Sequence, residues 1–368
     1  MESKLKYVGE QFDLKGNIKN IKPLGEGFIN DTYVIKNSDS ESPDYILQRK
    51  NKNIFVNIPA MMENIHKVTT HLKKKIIANG GDPERETLTL VPAKTGTLYF
   101  LDETGEYWAV SVFIKDTLDY QRADTPELAF KGGKGIGKFQ AMLSDFDEPL
   151  TDILPGFHNI RYRFKQWKET LAKDPVGRKA ATLKEIDWIE ERREEMTDFW
   201  KLIENGDIPA RITHNDTKIN NILFDKNGDV LCVIDLDTVL CSSCLNDYGD
   251  AMRSYTNTGL EDDKNLDNVA MDLDIFRAYT QGYLSETVKF LNERELEYLA
   301  FSAKYITYEQ VLRFLMDYID GDHYYKIKNE QHNLIRARAQ YKLLQSMEEQ
   351  YETMKNIVAE EVRKHKNI

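Results

Sequence analysis

The residues best suited to chemistry lie in one stretch near the middle of the chain, residues 212–238. It contains an Asp, an Asn five positions later, and a second Asp that closes an apolar run: Asp216, Asn221 and Asp235. Two runs rich in β-branched and apolar residues, 222–224 and 230–234, enclose a loop that contains glycine, and this pattern predicts a hairpin. We expect the hairpin to bring Asp235 close to Asp216 and Asn221.

These three side chains have the types and spacing of a kinase-type phosphoryl-transfer site. In such a site one Asp accepts the proton of the acceptor hydroxyl, while the Asn and the second Asp hold Mg²⁺ against the nucleotide phosphates. The alternative is that the three residues only cap turns, because Asp and Asn side chains readily bond nearby backbone groups. Since His214 also falls at the expected position, two residues before Asp216, we prefer the catalytic interpretation.

Length, composition and charge limit the class of protein. The chain has 368 residues, more than a typical single core, so two lobes or domains are expected. Its 41% hydrophobic and 30% charged residues are ordinary for a soluble globular enzyme. The formal net charge of −11 argues against a nucleic-acid-binding surface. Because no apolar run approaches the length of a membrane span and the N-terminus lacks an apolar signal segment, we expect a cytoplasmic protein without membrane partners. We also expect a monomer.

The three cysteines do not match a known metal or redox pattern. Cys241 and Cys244 form a C-x-x-C pair, but a structural zinc site requires four ligands and the chain has no second pair. A thioredoxin-like motif would need a strand, a following helix and a redox context. We therefore expect structural thiols, and a redox or metal protein stays open as an alternative.

The N-terminal third predicts a lobe that binds nucleotide. Residues 17–35 predict a strand, a glycine turn and a second strand. Backbone without a β-carbon can approach phosphate oxygens closely, although two glycines in a turn are weak support when taken alone. The candidate nucleotide contacts here are Gly25, Gly27, Asn30, Asp31 and Thr32.

A third strand is predicted over residues 44–49, where a kinase would carry a lysine. This strand ends in Gln48 and Arg49 instead, and strand alternation lets only one of the two face the site. We predict that Arg49 supplies the positive charge; the alternative is that Arg49 faces solvent. Residues 58–78 have helical periodicity, and Glu63 on this helix is a candidate partner for the cation of the strand.

The mostly apolar segment 107–114 predicts the last strand of the N-terminal lobe. In two-lobed kinases this strand becomes the hinge and its main chain contacts adenine, so Val112 and Ile114 are candidate contacts, although any buried strand has this pattern. The polar residues 115–126 would connect the lobes. The glycine- and lysine-rich segment 131–138 lacks the ending of a Walker phosphate loop, and we interpret it as the irregular start of a helix.

Four blocks of sequence resemble the aminoglycoside phosphotransferase and choline kinase superfamily. They are G-E-G-F-I-N-D-T-Y at 25–33, Y-I-L-Q-R-K-N at 45–51, T-H-N-D-T-K-I-N-N-I-L-F-D at 213–225 with V-I-D-L-D-T-V at 233–239, and R-F-L-M-D-Y-I-D-G-D-H-Y-Y-K at 313–326 with H-N-L-I-R-A-R at 332–338. The third block carries the superfamily signature, H-x-D followed by Asn and then I-D. Within the superfamily, the third and fourth blocks most resemble the N-acetylhexosamine 1-kinases.

The resemblance implies an α+β, bilobal, protein-kinase-like fold. A small antiparallel sheet and a helix would form the nucleotide-binding lobe over residues 1–114, and residues 115–368 would form a larger, mainly helical lobe for catalysis and sugar binding. It implies ATP and Mg²⁺, with transfer of the γ-phosphoryl group to the anomeric hydroxyl of GlcNAc or GalNAc. Asp216 would be the base, with Asn221 and Asp235 as metal ligands. The implied sugar contacts are Asp237, Thr238, Arg313 and Tyr324.

Two further functions stay open at this point. The first is the same chemistry on another hydroxyl, such as that of an aminoglycoside, choline or a different sugar. Aminoglycosides and choline are cations that require carboxylates or aromatic cages, whereas Arg313 favours a neutral polar acceptor. The second is a nucleotide-binding protein without catalysis, because the usual lysine of the third strand is missing. The presence of Asp216, Asn221 and Asp235 argues against this second function.

Overall fold

The structure is a computed structural model, and it describes residues 2–25 and 29–366. The chain divides into two compact units. The first contains Met1–Leu118, Asp145–Pro155 and Leu223–Leu240, and the second contains Asp119–Ser144, Gly156–Ile222 and Cys241–Ile368. The predicted functional boundary after residue 114 stays a prediction.

Strands are concentrated in the first unit and helices in the second. The strands are β1 (Ile18–Pro23), β2 (Asp31–Asn37), β3 (Tyr45–Lys50), β4 (Leu90–Val91), β5 (Phe100–Leu101), β6 (Tyr107–Val112), β7 (Arg211–Thr213), β8 (Ile222–Phe224), β9 (Val230–Val233) and β10 (Leu240–Ser242). The helices are α1 (Glu2–Gly9), α2 (Ile58–Ala78), α3 (Pro126–Met142), α4 (Ile160–Lys173), α5 (Leu183–Glu204), α6 (Cys244–Tyr255), α7 (Leu273–Thr287), α8 (Glu293–Asp320), α9 (His332–Glu349) and α10 (Tyr351–Lys366).

The first unit is built on an antiparallel sheet in the order β1-β2-β3-β6-β4, with β5 also paired to β6. Side chains alternate between its two faces. On one face Tyr45 and Leu47 of β3 pack with Val110 of β6 and with Val8 of α1 in a single apolar core. The side chains of Gln48 and Lys50 therefore belong to the other face.

Helix α2 has the bounds that the periodicity of residues 58–78 predicts. The side chain of Asn57 accepts a hydrogen bond from the Ala60 N–H at 3.1 Å, which satisfies a free donor of the first turn. Most of the apolar side chains that give residues 58–78 their helical periodicity are buried, but Ile77 is 62% exposed at the end of the helix. The buried side chains anchor α2 within the first unit.

Strands β8 and β9 form the predicted hairpin of the central stretch. The Asp225 carboxylate accepts hydrogen bonds from the main-chain N–H groups of Asn227 and Asp229 at 2.8 and 3.0 Å. Gly228 provides the positive φ of 76° that the turn requires. The local turn chemistry thus explains why this hairpin could be predicted.

The second unit is mainly helical, and α8 is its central helix. It packs against α4, α6, α9 and α10, and it is buried around most of its circumference. Asn292 and Glu295 form a capping box at its start, and Gly321 ends it with a φ of 103°. The small antiparallel sheet with one long helix and this helical unit confirm the predicted α+β class.

The glycine-rich segment 131–138 is not an irregular start, because it lies inside α3. A β-carbon on Gly133 would lie 2.2 Å from the Tyr279 carbonyl oxygen of α7, and one on Gly282 of α7 would lie 2.0 Å from the Phe130 carbonyl oxygen. The glycines therefore permit close packing of α3 against α7. Over residues 2–25 and 29–366, none of the helices has the length and apolar character of a membrane span.

Candidate active site

The segment that follows β7 is held by two acids from the start of α6. The Asp247 carboxylate accepts hydrogen bonds from the main-chain N–H groups of His214 at 3.0 Å and Asn215 at 2.6 Å. Asp250 accepts one from the Thr217 N–H at 2.9 Å. Burial raises the pKa of Asp247. These contacts brace the segment, and removal of either acid would leave buried main-chain donors unpaired.

Asp216 projects from a sharp turn. Asn215 has a φ of 65°, a left-handed conformation that Asn tolerates better than most residues. The Asp216 side chain is 26% exposed, and its Oδ1 lies 3.1 Å from the Lys218 ammonium. Burial opposes ionisation of Asp216, but Lys218, with smaller contributions from His214 and Arg253, outweighs burial and lowers the pKa of this carboxyl. Asp216 is therefore ionised at neutral pH, as a proton acceptor must be.

Asn221 lies at the end of a 3₁₀ helix, Ile219–Asn221, that leads into β8. Its Nδ2 donates to the main-chain oxygen of Asp216 at 2.8 Å and to the carboxylate Oδ2 at 3.1 Å. The structure thus brings together two of the predicted site residues. Because the amide nitrogen is engaged with Asp216, the Oδ1 atom of Asn221 is the atom of this side chain suited to bind a cation.

Asp235 follows β9 in the first unit and begins another 3₁₀ helix, Leu236–Thr238. Its φ of 59° and ψ of 56° place it in the left-handed region, and the residue is exposed. Non-glycine residues in this region are uncommon and concentrate at functional sites. Thr238, at the end of the 3₁₀ helix, is buried.

The amide oxygen of Asn221 in the second unit and the carboxylate of Asp235 in the first are each of the type that Mg²⁺ prefers. Mg²⁺ prefers hard oxygen ligands and is commonly held by one or two carboxylates together with substrate phosphates. Within the part of the chain that the structure describes, no group of three or more His, Cys, Asp or Glu residues is arranged for a metal. A cation bound jointly with nucleotide phosphates does not need such a group.

Asp237, two positions after the candidate metal ligand Asp235, forms a buried ion pair with Lys50. The Lys50 ammonium donates to both carboxylate oxygens of Asp237, at 2.7 and 2.9 Å, and the two side chains are only 3% and 7% exposed. Asn30 also donates to Asp237, at 2.7 Å. Asp237 and Asn30, predicted as sugar and nucleotide contacts, therefore form one network within the first unit.

Arg49 lies on the other face of β3 from Lys50. Its guanidinium pairs with Asp31, the residue directly opposite it on β2, and the Arg49 side chain is 43% exposed. Gln48, in contrast, shares the face of Lys50 and bonds Thr32 at 3.3 Å. The structure thus separates Arg49 from the face where Asp237 lies, and it offers Lys50 as the cation of the third strand.

Lys50 was not among the residues predicted from the sequence, because only Gln48 and Arg49 were considered at the end of the third strand. The same alternation, extended by one residue, places Lys50 on the face of Gln48 and would have identified it. Glu63, the proposed helix partner, is exposed on α2, and Asp237 fills that role. Lys218 was also missed, although its position two residues after Asp216 was a usable signal.

The remaining predicted nucleotide contacts are distributed over the first unit. Gly25 has a φ of 68°, and nothing lies within 4 Å of where its β-carbon would be. Gly27 falls outside the described residues. Val112 ends β6, and its N–H donates to the Thr89 carbonyl at 2.9 Å, so this N–H is already engaged within the first unit. Ile114 is buried.

The structure brings the two candidate sugar contacts of the second unit together. The Nη2 atom of Arg313 on α8 lies 3.3 Å from the hydroxyl of Tyr324, which is 45% exposed. The guanidinium also lies over the rings of Phe157, Tyr324 and Tyr325, at 5.5, 5.4 and 5.6 Å from their centres. A cation of the protein therefore occupies this aromatic cluster.

Asp317 organises the loop that carries Tyr324 and does not pair with Arg313. Its carboxylate accepts hydrogen bonds from the main-chain N–H groups of His323, Tyr324 and Tyr325 at 2.9, 2.8 and 3.0 Å. Asn333 of α9 donates to the same carboxylate at 2.9 Å. The late sequence block therefore builds a fixed aromatic loop after α8.

The cysteines have the properties of structural thiols. Cys232 and Cys244 are buried, Cys241 is exposed, and all three are free. Burial raises the pKa of each thiol, most strongly for the two buried ones, which disfavours the reactive thiolate. These properties argue against the redox alternative.

Comparison with known proteins identifies the fold. A sequence model described as "Phosphotransferase enzyme family" matches residues 20–286. A microcompartment-associated aminopropanol kinase is 14% identical, with a TM-score of 0.63 over 96% of this chain and 98% of that one. An aminoglycoside phosphotransferase from Alicyclobacillus acidocaldarius is 14% identical, with a TM-score of 0.58 over 95% and 96%. A spectinomycin phosphotransferase, solved with ADP and spectinomycin, is 14% identical, with a TM-score of 0.56 over 96% and 98%. These similarities confirm the predicted kinase-like fold.

Proposed function

The chain belongs to the phosphotransferase enzyme family of small-molecule kinases, and on this premise we propose that it transfers the γ-phosphoryl group of ATP to the anomeric hydroxyl of an N-acetylhexosamine. The observation that carries the catalytic part is the contact of Asp216 with both Asn221 and Lys218. An ionised carboxylate, an amide and an ammonium group meet there in one segment. This set matches the needs of phosphoryl transfer, which are orientation and charge neutralisation.

We assign a role in this reaction to each of these residues and to Asp235. Asp216 orients the acceptor hydroxyl and takes its proton as the new oxygen–phosphorus bond forms and the bond from the γ-phosphorus to the bridging oxygen breaks, which releases ADP. Lys218 keeps Asp216 ionised and offers positive charge to the transferring group. Asn221 and Asp235 hold Mg²⁺, through the amide Oδ1 and the carboxylate. When bound, ATP would supply the phosphoryl group, and Mg²⁺ would neutralise charge that develops on the phosphate oxygens.

The N-acetylhexosamine assignment is supported by Arg313 and Tyr324. An aromatic cluster that lacked an internal cation would suit choline or an aminoglycoside. Here the guanidinium of Arg313 lies over the three rings, so a cationic acceptor at this place would meet like charge. Fixed donors such as Arg313 and the Tyr324 hydroxyl instead favour a neutral acceptor that is rich in oxygen atoms, such as an acylated amino sugar.

A second candidate is a kinase for a small amino alcohol. Among the similar solved structures are an aminopropanol kinase and an ethanolamine kinase from Plasmodium vivax, the latter 15% identical with a TM-score of 0.53. Identity this low carries the fold to our chain but not the acceptor. The cation at Arg313 is the observation that places this candidate second.

A panel of acceptors separates the candidates. The purified protein is incubated with ATP, Mg²⁺ and one acceptor at a time: GlcNAc, GalNAc, glucose, galactose, ethanolamine, 1-amino-2-propanol, choline or kanamycin. We expect acceptor-dependent ADP formation to be greatest with the N-acetylhexosamines. Preference for an amino alcohol or kanamycin would reject the sugar assignment and keep the kinase assignment. ADP formation with none of them would contradict the proposed acceptor classes.

A further inference from the structure

A buried histidine links α8 to the segment that carries Asp216. His158 is 4% exposed, and its Nδ1 lies 2.7 Å from the Glu309 carboxylate of α8. Its Nε2 lies 3.4 Å from the main-chain carbonyl oxygen of Asn215. The ring therefore spans from the central helix of the second unit to the residue before Asp216.

Both atoms that face the ring are hydrogen-bond acceptors. Glu309 also accepts from the Nε of Arg163 at 3.2 Å. Burial alone would raise the pKa of Glu309, but His158 and Arg163 outweigh it and lower this pKa to about 2, so the carboxyl is ionised. A neutral imidazole has one N–H and would direct a lone pair at one of its two acceptors. Protonation of both nitrogens satisfies Glu309 and Asn215 together.

The carbonyl that faces His158 belongs to the peptide group that leads into Asp216. This group is planar, so fixing its oxygen and its nitrogen fixes its orientation. The Asp216 N–H donates to Nδ1 of His214 at 3.2 Å, while the Asn215 oxygen faces His158. The peptide is thus held from both sides, next to a residue in the left-handed region.

We propose that His158 is a positioning residue for the proposed phosphoryl transfer. As an imidazolium held by Glu309, it fixes the peptide between Asn215 and Asp216 and so directs the Asp216 carboxylate at the acceptor hydroxyl. The neighbouring residue Phe157 links His158 to the proposed acceptor contact Arg313. The centre of its ring lies 4.3 Å from that of the His158 ring, and the Arg313 guanidinium lies over it. The kinetic part of this inference rests on the proposed function, whereas the protonation of the ring does not.

Kinetics of substituted full-length enzyme test the positioning role. His158→Leu removes both hydrogen bonds, and we expect kcat to fall by roughly 10²-fold, because a base displaced by about 1 Å loses this much, while KM for ATP and for the acceptor stays unchanged. His158→Gln retains an amide donor and should recover part of kcat. The matched control is Tyr305→Phe, which removes the 2.7 Å bond from the Tyr305 hydroxyl to the main-chain oxygen of His158. It should lower the thermal midpoint and leave kcat intact.

Nitrogen-15 NMR of the imidazoles tests the protonation of the His158 ring. The His158 signals are those that disappear in the spectrum of His158→Leu. We expect a hydrogen-bonded proton on both ring nitrogens in the wild type, and on only one of them in Glu309→Gln. A singly protonated ring in the wild type, or unchanged kcat in His158→Leu, would overturn the inference. If His158→Leu does not fold, Glu309→Gln provides both readouts. Failure of the wild type to phosphorylate any acceptor would overturn the proposed function and leave the NMR test of the ring intact.

Discussion

The Lys50 ammonium lies 2.7 and 2.9 Å from the two carboxylate oxygens of Asp237, in a buried ion pair within the first unit. The pair joins the end of β3 to the residue two positions after Asp235. A buried charge that loses its partner is destabilising, so this contact couples the third strand to the segment of a proposed metal ligand. We therefore propose for Lys50 the role that the sequence led us to predict for Arg49.

Substitution of Lys50 and of Arg49 distinguishes these two assignments. We expect Lys50→Met to raise KM for ATP and to lower kcat, because it leaves Asp237 buried without its cation. Arg49→Met is the matched control, since it removes an exposed cation from the same strand and should leave both constants unchanged. Initial-rate kinetics with ATP varied, together with a thermal melt, measure the effect. The reverse pattern would restore Arg49 as the functional cation.

The pairing of Lys218 with Asp216 predicts a pH effect. Lys218 lowers the pKa of Asp216, and activity requires the ionised carboxylate, so kcat/KM should fall only at pH below the usual value for Asp. In Lys218→Met the positive charge is lost while burial remains, so the pKa rises and the acid limb moves to higher pH. Lys218→Arg keeps the charge and should keep the limb in place. Profiles of kcat/KM at equal Mg²⁺ and ATP concentrations reveal the shift, and coincident limbs for all three proteins would contradict the assignment.

Substitution of the proposed metal ligands should change the dependence on Mg²⁺. We expect Asn221→Ala and Asp235→Asn each to raise the Mg²⁺ concentration for half-maximal activity by roughly 10-fold or more, because each loses an oxygen ligand. Asp229→Asn, in the loop of the same hairpin, is the control and should behave as wild type. Titration of activity with Mg²⁺ at fixed ATP provides the measurement. A variant with lower kcat but an unchanged Mg²⁺ requirement would lose its assignment as a ligand.

Arg313 should act on the acceptor and not on the nucleotide. If its guanidinium binds the acceptor equally in the ground and transition states, Arg313→Met raises KM for the acceptor with little change in kcat. A lost charged hydrogen bond of about 1.5–3 kcal/mol corresponds to roughly 10- to 150-fold in KM. KM for ATP should stay constant, and Arg277→Met, which removes an arginine paired with Glu360, serves as the control. An effect of Arg313→Met on ATP alone would refute this role.

The features that could be predicted from sequence depend on local patterns. The hairpin of β8 and β9 follows from turn residues between apolar runs, and α2 from its periodicity. The neighbouring positions of Asp216 and Asn221 follow from a short segment in which few conformations are available.

The features that could not be predicted depend on contacts between distant parts of the chain. Helix α3 tolerates Gly133 because α7 packs too closely for a β-carbon there, and a sequence window around Gly133 does not contain α7. Asp317 binds the loop after α8, although its spacing from Arg313 equally allows a pair on one helix face. The partner of Lys50 is 187 residues away in sequence. Periodicity identifies the face of the helix or strand on which a side chain lies, but not the group that the side chain contacts.

The most direct test of the account is to identify the product and its dependence on Asp216. Wild-type protein is incubated with ATP, Mg²⁺ and GlcNAc or GalNAc, and phosphorus-31 and proton NMR locate the new phosphate. We expect a sugar 1-phosphate, with ADP formed in equal amount, and a rate in Asp216→Asn that is roughly 10²–10⁴-fold lower. Phosphate at another hydroxyl, or an Asp216→Asn enzyme as fast as the wild type, would contradict the account.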